Sequence, residues 1–502
     1  LRASKEFACE NDIKLNDQLF TTGYSAGGYG TMAFHQVVDE DYSDEFTITA
    51  NAPLAGPYAL DQMALRIFSN GVYSQPYYLG FALWGYILAT GDNDALNRWV
   101  NPKYKDAIFN MYNGEFSGGQ INDALNDTMS VLLDAKFLDD FLSSDKIIHL
   151  NIDKQSIDPP IFNYSYDEFD NLELNKKFVN LFKKIYPDLN IEIKLAEKNT
   201  DKIKIGFISE FFSDHTIGKL FRGTIFNLDR NKFEVYVFHT NKTKKGIIFS
   251  DFLSKEINSN LTNVILPNAF REKVETIKNK KLDIVFYPDI GMSSELYFLT
   301  FLRFAKYQIA SWGHPISTGN DNIDFFISST KSEIKDAQKH YSEKLILLDH
   351  MIYYFKPQTS LKLELDEMIY QNVYSCPQTL FKIHPNFDLI LKQILVKDKK
   401  AKIYFIKDGN KSLFKKLIER FKKTIGSDIN RIIFNDNMSV EKYLNHCGSS
   451  SVLLDPIIYG GGNSFYESMY YGTPSVTFPS SHLKNRLTLG AYNQMEIEDA
   501  PI

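Results

Sequence analysis

Residues 374–382 read YSCPQTLFK and residues 459–474 read YGGGNSFYESMYYGTP. In the first, an apolar run stops at Pro377 and passes through Gln378 and Thr379 to Lys382 at the start of a helix. In the second, three glycines lead to Asn463, Ser464 and, four residues beyond Asn463, Glu467. A lysine in such a turn can neutralise a diphosphate, glycines let backbone N–H groups approach phosphate, and a carboxylate one helical turn later can take both hydroxyls of a ribose. These residue types in this order predict a grip on a nucleotide-sugar. A lysine at a helix start is ordinarily solvated, but its place directly after a strand favours the functional reading.

A second constellation lies near the amino terminus. Residues 18–22 read as a buried strand, Gly23-Tyr-Ser-Ala-Gly27 follows, and a helical stretch runs from about 28 to 39. That is the strand–turn–helix context of a nucleophile elbow, in which glycines permit the tight turn and Ser25 would stand exposed above a sheet. The segment, with a further strand over 46–52 and a covering apolar stretch over 72–89, resembles part of an α/β-hydrolase of the serine esterase, lipase or peptidase kind. An acyl-transfer serine in that fold needs a carboxylate and a histidine later in the chain. His35 reads as an ordinary helix residue, and His149 has no accompanying aspartate and Gly-His turn, so an inactive hydrolase fragment is expected.

The remaining elements must position the first constellation. Apolar strand-like runs alternate with longer amphipathic ones at 203–208, 233–239, 263–266, 283–287, 308–311 and 325–328. They recur at 373–376, 401–407, 432–435, 451–455 and 475–478. This βαβ alternation predicts two doubly wound parallel sheets with a ligand cleft beyond the carboxyl ends of their strands. One helix is expected near 174–186, ahead of them.

Composition separates the two parts. Residues 1–140 hold 15 Ala and 8 Lys plus Arg against 19 acidic residues, a net charge of −11, whereas the remaining 362 residues hold 8 Ala and a net +5. The change places a boundary within 142–158, before Pro159-Pro160. The total of −6 gives no reason to expect a nucleic-acid partner, and no apolar run reaches the roughly 18 residues of a membrane span. Three widely spaced cysteines suggest neither a disulfide framework nor a CxxC metal site, and suit a reducing, cytoplasmic setting.

The stretch 203–215, IKIGFISEFFSDH, then Gly313-His-Pro-Ile-Ser-Thr-Gly319, Tyr341-Ser-Glu-Lys344, the Lys382 motif and the Gly460 motif stand in an order that resembles family 41 glycosyltransferases. That family includes protein O-GlcNAc transferases and HMW1C-type N-glucosyltransferases, and the resemblance covers about 202–494. It implies a GT-B fold and inverting, metal-independent transfer of a hexose or N-acetylhexosamine from a UDP-sugar to Ser/Thr or Asn of a protein. It also implies roles: Lys382 and Thr379, with Gln378 beside them, at the diphosphate; Asn463 and Ser464 near the phosphates; Glu467 at the uridine ribose, where relatives commonly carry aspartate. His215 matches a histidine bordering the acceptor cleft and considered as general base. His314, before Pro315, either shapes the cleft wall near the sugar or diphosphate or serves only the conformation of the Gly-His-Pro turn. No metal ligand is expected, there being no evident Asp-x-Asp at a strand end.

The resulting expectation is an α/β chain with a partial hydrolase-like segment over 1–145, a linker or helical region over 146–200, an acceptor-side GT-B half over 201–357 and a UDP-sugar half over 358–502. Leu1 in place of methionine, and an end at Ile502 where relatives continue through a terminal helix, suggest a fragment. Two other readings stand beside the glycosyltransferase: a serine hydrolase acting through Ser25, and an inactive fused chain that at most binds.

Overall fold

The computed structural model describes residues 1–16, 18–24, 26–54, 76–92, 94–112, 114–125, 132, 149–153, 159–166, 168, 170–195, 201–240, 261–351, 372–407, 409 and 411–501. Ser25, and the expected boundaries at 145/146, 200/201 and 357/358, lie at or against positions outside the described residues. The chain divides into two compact units, Leu1–Tyr73 and Ser74–Ile502.

In the first unit β1 (Leu19–Tyr24) leads to the helix Ala26–Asp41 and to β2 (Ile48–Leu54), which pairs with β1 in parallel. The side chain of Asn51 on β2 donates to the Thr31 carbonyl at 3.0 Å, tying strand to helix.

The second unit holds two all-parallel sheets. The larger is built from β3 (Ile203–Ile208), β4 (Phe233–Thr240), β5 (Thr262–Leu266), β6 (Ile284–Tyr287), β7 (Tyr307–Ser311), β8 (Phe325–Ser329) and β9 (Lys344–Leu348), in the order β5-β4-β3-β6-β7-β8-β9. The smaller contains β10 (Val373–Cys376), β11 (Lys402–Ile406), β12 (Ile432–Asn435), β13 (Val452–Leu454) and β14 (Ser475–Val476), in the order β12-β11-β10-β13-β14. The central strands are near-continuous apolar runs, as strands covered on both faces must be. Phe207, Val237, Val285, Cys376, Ile403 and Phe405 are accordingly buried. Strand β9, KLILL, was not among the expected strands; it closes the open edge beside β8.

Each sheet reverses its direction of winding next to its first strand. The chain passes from β3 through β4 and β5 on one side before returning to β6, and from β10 through β11 and β12 before returning to β13. The crevices beyond β3/β6 and β10/β13 are therefore where a ligand is expected. The loops that leave β3, β7, β10 and β13 carry His215, His314, Lys382 and the Gly460 turn.

A helix over Leu172–Ile185 buries Phe178, Phe182 and Ile185, spaced i, i+4, i+7, along one face. Phe182 meets Phe298 edge-on at 5.2 Å. Asn175 on this helix donates to the Ser317 carbonyl at 2.6 Å. Gly319 has φ +66°, and a Cβ there would lie 2.6 Å from the Lys176 nitrogen, so the close approach of turn and helix needs glycine. Among the described residues no helix is long and apolar enough to cross a membrane.

Candidate active site

The chain leaves β10 at Cys376 and tightens into a 3-10 turn, Leu380–Lys382, whose Lys382 N–H donates to the Thr379 carbonyl at 3.0 Å. Leu380 is buried and anchors the turn, while Thr379 is exposed and its side chain makes no capping bond. Lys382 points back over the sheet edge. Its Nζ donates to Gln378 Oε1 at 2.9 Å and to the Gly460 carbonyl at 3.3 Å, and stands 4.9 Å from the centre of the Tyr459 ring. Gln378 Nε2 in turn donates to Ser464 Oγ at 2.5 Å. Lys382, Gln378, Ser464 and the glycine turn are thus one bonded group. Burial lowers the Lys382 ammonium to about 8, opposed by the Asp455 carboxylate.

Asp455, at the carboxyl end of β13, organises the glycine turn. Its Oδ1 accepts the Gly461 N–H at 2.5 Å, and its Oδ2 accepts the hydroxyls of Thr477 and Thr488 at 2.9 Å each. The Gly460 N–H donates to the Lys484 carbonyl at 2.9 Å. The amides of Gly460 and Gly461 are therefore used within the protein, and the glycines serve compactness. A Cβ on Gly461 would lie 2.7 Å from Ser464 Oγ and 2.9 Å from Gln378 Nε2.

Asn463 and Glu467 lie on the short helix Asn463–Met469. The Glu467 carboxylate accepts from the Asn463 side chain and the Tyr443 hydroxyl, and burial holds it above the usual carboxylate range. Asn463 Oδ1 is buried with no hydrogen-bond partner among the described residues. Glu467 also faces the other half: Lys219 Nζ lies 3.8 Å from its Oε1, and 3.4 Å from Asp214 Oδ1. This ion pair spans the cleft.

Lys219 is one turn after His215, which caps the helix Thr216–Phe226 by accepting the Ile217 N–H on Nδ1 at 3.2 Å. The ring stacks on Phe211 at 4.4 Å. Burial, and then the nearby Lys219 charge, lower its pKa to about 4, so the ring is neutral at pH 7. With Nδ1 accepting, the proton of that neutral ring resides on Nε2.

His314 shows the opposite tautomer. Its Nδ1 faces the Ile290 carbonyl at 2.8 Å and must donate to it, which leaves an unprotonated Nε2 that is buried and has no hydrogen-bond partner among the described residues. Burial lowers this ring, too, to about 4. Phe162 stacks on it at 5.9 Å and meets Phe381 at 6.2 Å, while Tyr166 packs at 4.5 Å against Tyr459. Residues 161–166, ahead of the two halves in sequence, thus form an aromatic wall joining His314 to the Lys382 turn.

The structure brings Gln378, Lys382, Asn463, Ser464 and Glu467 together on the second half and reaches His215 through Lys219. His314 stands across the aromatic wall, and Thr379, exposed, meets Lys382 through its carbonyl. Asp455, Lys219, Tyr443 and Lys484 were not singled out in the sequence. Asp455 alone left a signal, as an acidic residue between an apolar strand and Pro456.

No family model matches the chain. Two curated proteins are similar to it, the UDP-glucose:protein N-beta-glucosyltransferases of Actinobacillus pleuropneumoniae serotype 5b (strain L20) and serotype 7 (strain AP76). Each is 20% identical over 246 residues, 47% of this chain and 39% of the relative. The match therefore spans about two fifths of those proteins' length. Among solved structures, a point mutant of the Thermobaculum terrenum O-GlcNAc transferase superposes with a TM-score of 0.54 at 15% identity, covering 88% of this chain and 86% of that one. The chain thus has the GT-B type of fold, two Rossmann-like halves facing a cleft, and the resemblance to family 41 glycosyltransferases that its motifs carry is met by sequence relatives and a solved fold alike.

Proposed function

We propose that the chain is an inverting glycosyltransferase that moves a hexose or N-acetylhexosamine from a UDP-sugar to Ser/Thr or Asn of a protein. The observation that carries this reading is the bonded group of Lys382, Gln378 and Ser464 at the β10/β13 crevice, with Glu467 one helical turn beyond. Departing UDP develops negative charge, and in this reading the Lys382 ammonium neutralises it, so no metal is invoked at the diphosphate. The start of the helix Asn463–Met469, with the side chains of Asn463 and Ser464, supplies further polar groups for phosphate. Glu467 accepts the ribose hydroxyls; its extra methylene relative to aspartate is taken up by its bonds to Asn463 and Tyr443.

The two histidines divide the remaining work. His215, neutral with its proton on Nε2, donates a hydrogen bond into the acceptor cleft, and serves as base only if the Ile217 bond yields. His314 offers the free lone pair of Nε2 to a sugar or acceptor hydroxyl. The unpaired cysteines Cys9, Cys376 and Cys447 support a cytoplasmic site of action. For the first unit, β1, the following helix and parallel β2 support a hydrolase-like fold, and no activity is assigned to it.

The test is mass spectrometry of peptides containing Ser, Thr or Asn, co-expressed or incubated with the chain and each of UDP-glucose and UDP-GlcNAc. A hexose or N-acetylhexosamine mass gain that requires the chain is expected. Peptides unchanged with both donors, while UDP still binds, would reduce the protein to a binding module.

A further inference from the structure

Away from the Lys382 turn, three side chains from three parts of the second unit converge without bonding one another. Asp170 precedes the helix Leu172–Ile185, His340 ends a 3-10 turn ahead of β9, and His482 follows β14. One ligand-type atom of each lies within 4.8 Å of those of the other two. His340 Nδ1 is 3.5 Å and His482 Nε2 4.0 Å from Asp170 Oδ2, and the two rings stand 4.3 Å apart at 67°. Both nitrogens of His340 and Nε2 of His482 are buried with no hydrogen-bond partner among the described residues. Buried polar atoms left unpaired are costly.

We infer that Asp170, His340 and His482 form a binding site for a divalent transition-metal cation, with zinc the best match. Two imidazoles and one carboxylate are the donor types of zinc, whereas calcium and magnesium prefer oxygen alone. Donors around a tetrahedral zinc with bonds of about 2.0–2.2 Å lie roughly 3.3–3.5 Å apart. The His340–Asp170 pair already has that spacing, and the others need inward rotation of side chains. Outer partners are in place: the Leu172 N–H donates to Asp170 Oδ1 at 3.0 Å, leaving Oδ2 for the cation, and His482 Nδ1 meets Ser481 Oγ at 3.3 Å, leaving Nε2. Asp170 is half exposed, at 49% of its side chain, which provides an entry path and a fourth position for water.

Such a cation takes no part in group transfer. It pins the 170 segment and both halves at one point, and His482 lies two residues before Lys484, whose carbonyl holds the Gly460 N–H. The site therefore acts as a structural clamp behind the glycine turn. This inference does not depend on the glycosyltransferase reading.

The test uses the full chain, stripped with a chelator and titrated with Zn²⁺ against a chromophoric competitor. One tightly held zinc per chain is expected, with affinity lowered about a hundredfold or more in His340→Ala and in His482→Ala and unchanged in His350→Ala. Equal zinc affinity in wild type and the double variant His340→Ala/His482→Ala would overturn the assignment. In case the variants fold poorly, Co²⁺ added to the stripped wild type gives an independent readout. The intense visible absorption of tetrahedral cobalt supports the site, and the weak spectrum of hydrated cobalt contradicts it.

Discussion

After β10 the chain runs from a strand into a 3-10 turn, and after β1 it runs on into the helix Ala26–Asp41. Their surroundings differ. Strand β10 lies in the middle of five, with Ser375 and Cys376 fully buried and β13 beside it. The carboxyl ends of the two strands therefore stand together, and Lys382 from one meets the Asp455-held glycine turn from the other. Strand β1 pairs only with β2 among the described residues; Phe20 upon it is 63% exposed, and Thr21 Oγ1 is buried without a hydrogen-bond partner there. A bend becomes a site when a second strand end delivers partners to it. That difference is the physical basis for proposing chemistry at Lys382.

The comparison can be broken most forcefully at Asp455. Asp455→Ala removes the acceptor of the Gly461 N–H and of two buried hydroxyls, and should cost roughly 3 kcal/mol or more by denaturant unfolding. A loss below about 1 kcal/mol would show that the turn is held by something else. Glu467→Ala should weaken UDP binding about tenfold in calorimetry, since it removes the proposed ribose acceptor and the cross-cleft partner of Lys219.

A smaller effect is expected from pH. The Lys382 pKa is lowered, to about 8, so the charged form, the one proposed to attract diphosphate, prevails below that value and is lost above it. UDP affinity should therefore fall several-fold between pH 7 and pH 9, and Lys382→Arg, always charged, should flatten the profile. On the other side of the comparison the expected effect is nil: a serine-directed phosphonate should leave Ser25 unlabelled, and labelling would restore the hydrolase reading.

Much of this architecture was legible because buried parallel strands are continuous apolar runs. Ile203–Ile208, Val373–Cys376 and Ile432–Asn435 fall where the sequence placed them, and the other expected strands of the two sheets differ by a residue or two at their ends. Strand β9 is hidden in the sequence because Lys344 reads as the end of a motif. That motif's actual work lies in Glu343, buried, which accepts Ser317 Oγ at 2.7 Å and the Thr318 N–H at 2.8 Å and so binds two of the quoted motifs together.

The grouping of the candidate-site residues was legible where residue type and local turn suffice, at Lys382, Ser464 and Glu467. It was obscure where partners come from afar. Nothing local marks Phe162 or Tyr166 as a wall of the cleft, because aromatic residues in an aperiodic stretch read as ordinary core. The state of the histidines was equally hidden, since the backbone groups of Ile217 and Ile290 decide which nitrogen keeps its proton.

The central claim is that Lys382 grips the diphosphate of a uridine nucleotide, and calorimetric titration of UDP into wild type and Lys382→Ala tests it most directly. Saturable binding to wild type is expected, with an affinity lower by a factor of roughly 10 to 100 in the variant, the worth of a hydrogen bond to a charged group. Equal affinities would remove Lys382 from the site, and no binding to wild type would contradict the donor-binding reading altogether.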